Sequence, residues 1–315
     1  MGGGGGGGGW VSSRTPADLA RLVRNSEQRS ADANFEVSLS DELASLLAGY
    51  NGRDTELVRE RLDDTKHALE GAVEGTLDQV FGGSVAKHTY VDGLSDVDSL
   101  VIINDTALIA GGPQKALERM MEVLGKHLTG KATVTQGRMA VTVQYADGMT
   151  IQLLPAVRQE DGGLRVPSSR RLDAWSSINP KTFQEALTRR NAECGGKLVP
   201  VIKLAKAING TLPEAQRLSG YHMESLAIAA FRGYDGPKTT AAMLPVFFER
   251  ARDLVRSPIR DSTGQSVHVD GYMGAEDSPA RQAASHVLGA ISKRMRNATA
   301  AGSLPRWRAL FGVDE

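Results

Sequence analysis

Two aspartates one residue apart, Asp96 and Asp98, lead into the β-prone stretch Val97–Ile103, and a Gly82-Gly83-Ser84 triplet stands a short way ahead of them. In a strand, residues i and i+2 face the same side, so this spacing makes the two carboxylates project together. Carboxylates held that close repel, and each is driven toward its protonated form unless a cation stands between them. A hard divalent ion such as Mg²⁺ takes oxygen ligands and commonly binds through one or two carboxylates plus phosphate oxygens, which resolves the conflict. The glycines let backbone approach closely, and the amides at Gly83 and Ser84, with the Ser84 hydroxyl, make a set of donors suited to phosphate. Phosphate beside such an ion defines a site for phosphoryl transfer. Taken singly, the glycine triplet reads as a helix C-cap and Leu94–Asp98 as an exposed turn. The combination, with Thr89 and Gly93 between the two pieces, is what favours chemistry.

The elements that must hold these residues can be read from periodicity. Leu57, Val58, Leu62, Leu69, Val73, Leu77 and Val80 recur mostly three or four apart, which predicts one long amphipathic helix over Asp54–Val80, ending at Gly82-Gly83. Val97–Ile103 predicts a strand in a covered sheet, and Pro113–Leu128 a helix. Met139–Tyr145 and Met149–Pro155 flank Ala146-Asp147-Gly148 and predict a hairpin. Arg158–Pro180, rich in Gly, Ser, Pro and Arg, predicts a connecting loop. Beyond it the period is helical over Lys181–Ala192, Lys197–Ile208, Tyr221–Phe231, Lys238–Val255 and Ser278–Ala298. Ahead of all these, Gly2–Gly9 cannot meet the entropy cost of one conformation, helical patterning is weak over Pro16–Arg29, and Ser40-Asp41-Glu42 has the form of a helix cap. The expected organisation is an α+β, bilobal chain: a flexible Gly-rich segment over 1–35, a core with a small mixed sheet over 36–165, and a helical lobe over 166–315.

Composition narrows the partners. Lys plus Arg and Asp plus Glu both number 37, so no global positive field draws in a nucleic-acid backbone, and no stable nucleic-acid partner is expected. A local basic cleft for a small polyanion remains open. With 41% hydrophobic residues there is material for a sizeable core. The lone Cys194 cannot form an intramolecular disulfide, which fits the cytoplasm, and it has no metal-ligand company. No stretch approaches the roughly 18 apolar residues that span a bilayer, and Gly6 stands where a myristoylation signal wants Ser or Thr, so no membrane partner is expected.

Gly83-Ser84, Thr89 and Ser95-Asp96-Val97-Asp98 resemble the signature of the DNA polymerase β superfamily of nucleotidyltransferases. Leu204-Ala205-Lys206 and Leu218-Ser219-Gly220-Tyr221-His222 are similar to the helical lobe of cyclic GMP-AMP synthase, 2′-5′ oligoadenylate synthetase and the bacterial CD-NTases, with their second-messenger oligonucleotide or dinucleotide synthetase domain. The resemblance extends over about Asp54–Phe311. It implies a polymerase-β-like enzyme that uses Mg²⁺ (or Mn²⁺) to join nucleoside triphosphates into a cyclic di- or oligonucleotide, a second messenger in anti-phage (CBASS) defence that reaches a downstream effector. By the same resemblance Asp96 and Asp98 hold metal, Gly83 and Ser84 hold the donor triphosphate, Lys203 or Lys206 meets phosphate, Ser219 adds a hydrogen bond and Tyr221 stacks on a base. Each has a plainer reading: a solvated lysine lying over apolar surface, a helix cap at Ser219, a core aromatic at Tyr221. His222 reads as structural.

One position departs from the pattern. The family places a third carboxylate on a later strand, in the context apolar, acid, apolar, apolar, Pro; here Ile151-Gln152-Leu153-Leu154-Pro155 puts Gln152 there. A carboxamide offers a metal an oxygen without charge, and a unit charge at about 4 Å in an effective dielectric near 20 is worth roughly 4 kcal/mol before desolvation. Three outcomes follow: Gln152 suffices as part of the catalytic set, another acid replaces it, or the chain binds nucleotide without turning it over. Asp147, in the hairpin turn, lies too far along the strand to serve. A nucleotidyltransferase that modifies RNA or protein is the other enzymatic reading.

Overall fold

The computed structural model describes residues 16–50, 55–70, 78–81, 97–160, 162–168, 171–178, 180–259 and 270–313, with 16, 19, 22, 55, 78–81, 97, 98 and 180 described by backbone alone. Gly83, Ser84, Thr89 and Asp96 lie outside the described residues.

The sheet is built around two strands that run the same way. Strand β2 (Val97–Ile102) pairs in parallel with β5 (Thr150–Arg158), so the chain between them must cross over rather than turn back. It does so through α3 (Thr106–Ala110) and α4 (Gly112–His127) and then enters β3 (Ala132–Gln136) and β4 (Val141–Tyr145). Asp105 caps α3, accepting from the amides of Ala107 and Leu108. Strand β4 returns antiparallel onto β5 through the turn expected at Ala146-Asp147-Gly148, where Gly148 takes a φ of 89° that a side chain would resist. With β1 (Asp78–Phe81) on the far side of β2 the order is β1-β2-β5-β4-β3, a mixed sheet as expected.

Alternation along β5 divides the sheet's two faces. Ile151 and Leu153, with Val101, Val141 and Val143, pack on Leu117, Met120 and Leu124 of α4 and on Val58, Leu62 and Leu69 of α2 (Thr55–Glu70). Leu100, Ile102 and Ala156 form a smaller cluster on the opposite face with Val166. The remaining core is helical. It joins α5 (Pro180–Glu193), α6 (Leu198–Gly210), α7 (Gly220–Ala230), α8 (Thr240–Leu254) and α9 (Pro279–Ala300) to α10 (Leu304–Arg308) and to Leu39 and Leu43 of α1 (Pro16–Tyr50). Arg308 donates twice to Glu42, at 2.9 and 2.7 Å, tying the end of the chain to α1.

Five expectations need correction. The long helix expected over Asp54–Val80 does not run through to Val80: helix α2 is described over Thr55–Glu70, and Asp78–Phe81 is a strand, while the expected cap at Gly82-Gly83 lies outside the described residues. Val80 and Phe81 suit the strand that pairs with β2. Ser40 does not cap anything: it lies inside the 35-residue α1, its hydroxyl donating to the Glu36 carbonyl at 2.8 Å. The same helix takes in residues 16–35, so the expected break at 35/36 falls within it. Arg158–Pro180 is not a loop but carries β6 (Leu164–Pro167) and β7 (Trp175–Ile178), which continue the meander from β5, and the break expected at 165/166 falls inside β6.

Arg281 holds the helical part together from inside. Fully buried at the start of α9, it donates to the Asp270 carboxylate at 2.6 Å and to the carbonyls of Val255, Ser257, Gly274 and Ala275 at 3.0 to 3.2 Å. Arg281→Met strands a buried carboxylate and several carbonyls together. The expected loss is about 3–5 kcal/mol of unfolding free energy by urea titration, with Arg281→Lys recovering only part because an ammonium cannot reproduce the fork of donors.

Candidate functional site

The described candidates form two groups. In the sheet, the parallel register sets Asp98 opposite Gln152, and the antiparallel register sets Gln152 opposite Thr142 on β4. By the two-residue period, position 152 belongs with Leu154 and Ala156, on the face away from α4, and is half-buried while its neighbours Ile151 and Leu153 are fully buried. The glutamine therefore stands level with the second aspartate of the Asp-x-Asp pair, one strand away. Asp147 is committed elsewhere: both of its oxygens accept from Arg61 on α2, at 3.0 and 2.7 Å, and that ion pair holds its carboxyl below the usual range. The Arg61 guanidinium also lies 3.9 Å from the Tyr145 ring centroid, fixing it against the hairpin.

The second group surrounds the start of α7. Lys206, on α6, is almost fully buried, and its ammonium donates to Glu224 Oε1 at 2.7 Å, with Glu224 itself 1% exposed. This is neither a solvated lysine nor one presenting its charge outward: Lys206 clamps α6 to α7 through a buried pair. Gly220 permits the approach, since a Cβ there would stand 3.4 Å from the Lys206 ammonium. Lys203, one turn earlier and half-buried, has its ammonium pushed below the usual lysine range by burial and then by the Lys206 charge.

Ser219 is the N-cap of α7, its hydroxyl accepting from the His222 amide at 3.2 Å. It is exposed, as is Tyr221, whose ring lies 4.6 Å from Phe183 of α5 at a tilt of 40°. Tyr221 is thus backed by one aromatic while part of its surface remains open. His222 is fully buried, as a structural residue should be: burial pushes its pKa down to about 4 against the opposing pull of Asp270. Burial alone would raise the Asp270 carboxyl, but Arg281 and the Ile259 amide outweigh it and lower it. Cys194 is buried and its thiol is pushed up by burial, consistent with an unreactive core residue.

Glu224, Asn209, Phe183 and Tyr272 escape a reading of sequence. Asn209 makes a two-way bond with the backbone of Leu218, accepting from its amide and donating to its carbonyl, both at 2.9 Å, which fixes the residue before the cap. The partners of Lys206 and of Ser219 lie 18 and 53 residues away, so no local spacing reveals them. Among the described residues no group of three or more His, Cys, Asp or Glu side chains could hold a metal ion.

With this geometry in view, comparison with known proteins is informative. Residues 48–191 match the Second Messenger Oligonucleotide or Dinucleotide Synthetase domain. Over those residues the chain is similar to the synthetases that this domain describes, in line with the resemblance read from its sequence. No curated protein sequence matches. Among solved structures, the CD-NTase CdnG of Bradyrhizobium diazoefficiens, in complex with GTP, superposes with a TM-score of 0.62 at 17% identity, over 80% of this chain and 89% of that one. CdnC of E. coli MS115-1, solved with ATP, gives 0.58 at 15% identity over 90% and 97%. The cyclic AMP-GMP synthase DncV of Vibrio cholerae gives 0.59 at 11% identity over 95% and 91%. At these identities the superpositions speak for the fold, which they extend beyond the domain match into the helical part.

Two predictions concern the α7 group. Lys206→Met alone leaves Glu224 buried without its cation and should cost about 3–5 kcal/mol in urea titrations, whereas Lys206→Met with Glu224→Met should regain most of that loss. For His222 the folded pKa of about 4 lies below the ordinary 6.5, so the unfolded chain binds the proton more readily between those values. Stability present above pH 6.5 should therefore fall as pH drops toward 4, by on the order of 3 kcal/mol, and a His222→Gln variant should show a flatter profile over that window.

Proposed function

We propose that this chain joins nucleoside triphosphates into a cyclic di- or oligonucleotide second messenger, releasing pyrophosphate. The observation that supports the reading is the register of the two parallel strands: within the residues that match a synthetase domain, position 152 stands level with Asp98, where the family resemblance expects a third metal-binding group. Asp96 and Asp98 are the proposed metal ligands, with the Gln152 carbonyl as an uncharged third donor. Oxygen-only donors of this kind fit Mg²⁺ or Mn²⁺. Such an ion, when bound, supplies charge neutralisation at the phosphates.

The remaining roles fall to the chain's own groups. Gly83 and Ser84 are proposed to hold the donor triphosphate by backbone amides and a hydroxyl. Lys203 or Lys206 is proposed to meet phosphate, Lys206 while also pairing with Glu224. Tyr221, braced by Phe183 and partly open, is proposed to stack on a base, a contact worth about 1–3 kcal/mol and tolerant of base identity. Ser219 is proposed to contribute its exposed hydroxyl beside it. The proposed setting is the cytoplasm, in anti-phage defence, with an effector reached through the product. Among the described residues no helix is long and apolar enough to cross a membrane.

Gln152 also favours a second reading, a nucleotide sensor with an idle site, because Asp147 is held by Arg61 and does not stand in for the absent acid. Incubation of purified protein with labelled triphosphates and Mg²⁺ or Mn²⁺ separates the cases. A phosphatase-resistant product identified by mass spectrometry is expected. Asp96→Asn or Asp98→Asn should abolish it, and Gln152→Asp should leave it unchanged or raise it, by up to a few hundred-fold on the charge argument. Tight triphosphate binding without pyrophosphate release would establish the sensor instead, and label carried onto RNA or protein would establish a modifying transferase.

A further inference from the structure

The first turn of α7 carries Ser219 and Tyr221, and one of the groups that hold it to the rest of the molecule is a hydroxyl far away in sequence. Tyr272 sits in the short turn Gly271–Met273, immediately after Asp270. Its hydroxyl accepts from the Ser219 amide at 3.3 Å and lies 2.8 Å from His222 Nδ1. The hydroxyl has one proton to give, and with the Ser219 amide as donor to its oxygen that proton goes to Nδ1 of a neutral imidazole. The tautomer assigned in this way carries its hydrogen on Nε2, which faces Asp270 Oδ2 at 3.8 Å and finds no hydrogen-bond partner among the described residues. Asp270 is in turn held by Arg281 at 2.6 Å. The imidazole also meets the Tyr272 ring edge-on, with centroids 5.8 Å apart.

The result is a chain of contacts from a buried ion pair to an exposed backbone amide: Arg281, Asp270, His222, Tyr272, Ser219. His222, Asp270 and Arg281 are fully buried, while the Tyr272 residue is 59% exposed. An exposed tyrosine would ordinarily move between rotamers; this one has its hydroxyl fixed at both lone pair and proton. On the other side, Asn209 fixes Leu218, the residue before. Between them the cap of α7 is set in position before any ligand arrives, which reduces the ordering cost of binding there.

We propose that Tyr272 is a positioning residue for nucleotide binding, its hydroxyl holding the Ser219 amide so that the first turn of α7 presents Ser219 and Tyr221 to the bound triphosphate. The inference rests on the function proposed above for that turn. Tyr272→Phe isolates it, because the ring and its contact with His222 remain and the substituted residue is largely at the surface. Two measurements are read on the full chain: hydrogen exchange of the peptide spanning Ser219, and KM and kcat for ATP and GTP. The expected result is faster exchange at Ser219 with KM raised about fivefold and kcat within about twofold, as for loss of one hydrogen bond that serves binding alone. Unchanged exchange, or faster exchange with unchanged KM, overturns the proposal while leaving the function standing. A fall in kcat and melting temperature with KM unaltered assigns Tyr272 to stability alone and also overturns it. If the wild-type chain neither binds nor consumes triphosphates, the proposed function fails first, and this inference falls with it.

Discussion

Everything in the sheet depends on β2 and β5 running parallel and meeting in one register. Parallel neighbours cannot be joined by a tight turn, so the chain spends α3, α4, β3 and β4 between them, and those elements supply the helix that covers one face of the sheet. Strand β5 thereby becomes central, with β2 on one edge and β4 on the other. A slip of one residue would move Ile151 and Leu153 out of the core and put Gln152 and Leu154 into it. Because the burial of Ile151 and Leu153 forbids that slip, the pairing of position 98 with position 152 is fixed by packing, not by any attraction between those two residues.

The helical part solves a different problem, that of holding a helix start still at a surface. It uses charges taken out of water: Lys206 with Glu224, and Arg281 with Asp270. Such pairs add little net stability, since desolvation offsets much of the attraction, but each is strongly intolerant of losing one member. Both act on the same turn. Lys206 lies beneath Gly220, and the Arg281 pair supports His222 and Tyr272 beside Ser219. Apolar packing could join α6, α7 and α9 as firmly; directional bonds also set the angle and height at which α7 begins.

What sequence alone reveals follows from how far each signal reaches. The helices from α5 to α9 are legible because their apolar period persists over several turns, and the β4–β5 hairpin because alternation flanks an Asp-Gly turn. Val80 and Phe81 instead continue a helical period by chance, and only pairing with β2 makes them a strand. Strands β6 and β7 are hidden among Gly, Ser and Arg because they are short and form by extending a meander from β5 rather than by propensity. The site shows the same division. Gln152 is found because it sits in a local motif on a strand, and Ser219 because it precedes a helical run. The partner that burdens Lys206 and the hydroxyl that holds Ser219 come from elsewhere in the chain, so the motif names these residues without telling what they do.

The exchange of a carboxylate for Gln152 bears on the sheet before it bears on any ligand. Three acids converging on one face would repel and would each be driven toward the protonated form. A carboxamide level with position 98 removes one of those charges and adds an NH₂ group able to donate to a neighbouring carboxylate. At the proposed metal site the acids would then be less strained without a cation, and would gain correspondingly less when one binds. The triphosphate recognition proposed above would draw on backbone amides, a lysine and an aromatic as well as on the acids, and so would lose a smaller share of its free energy than a step that needs the full negative charge. The same substitution thus separates binding from bond formation, so that the effect of Gln152 should fall mainly on turnover and little on nucleotide affinity.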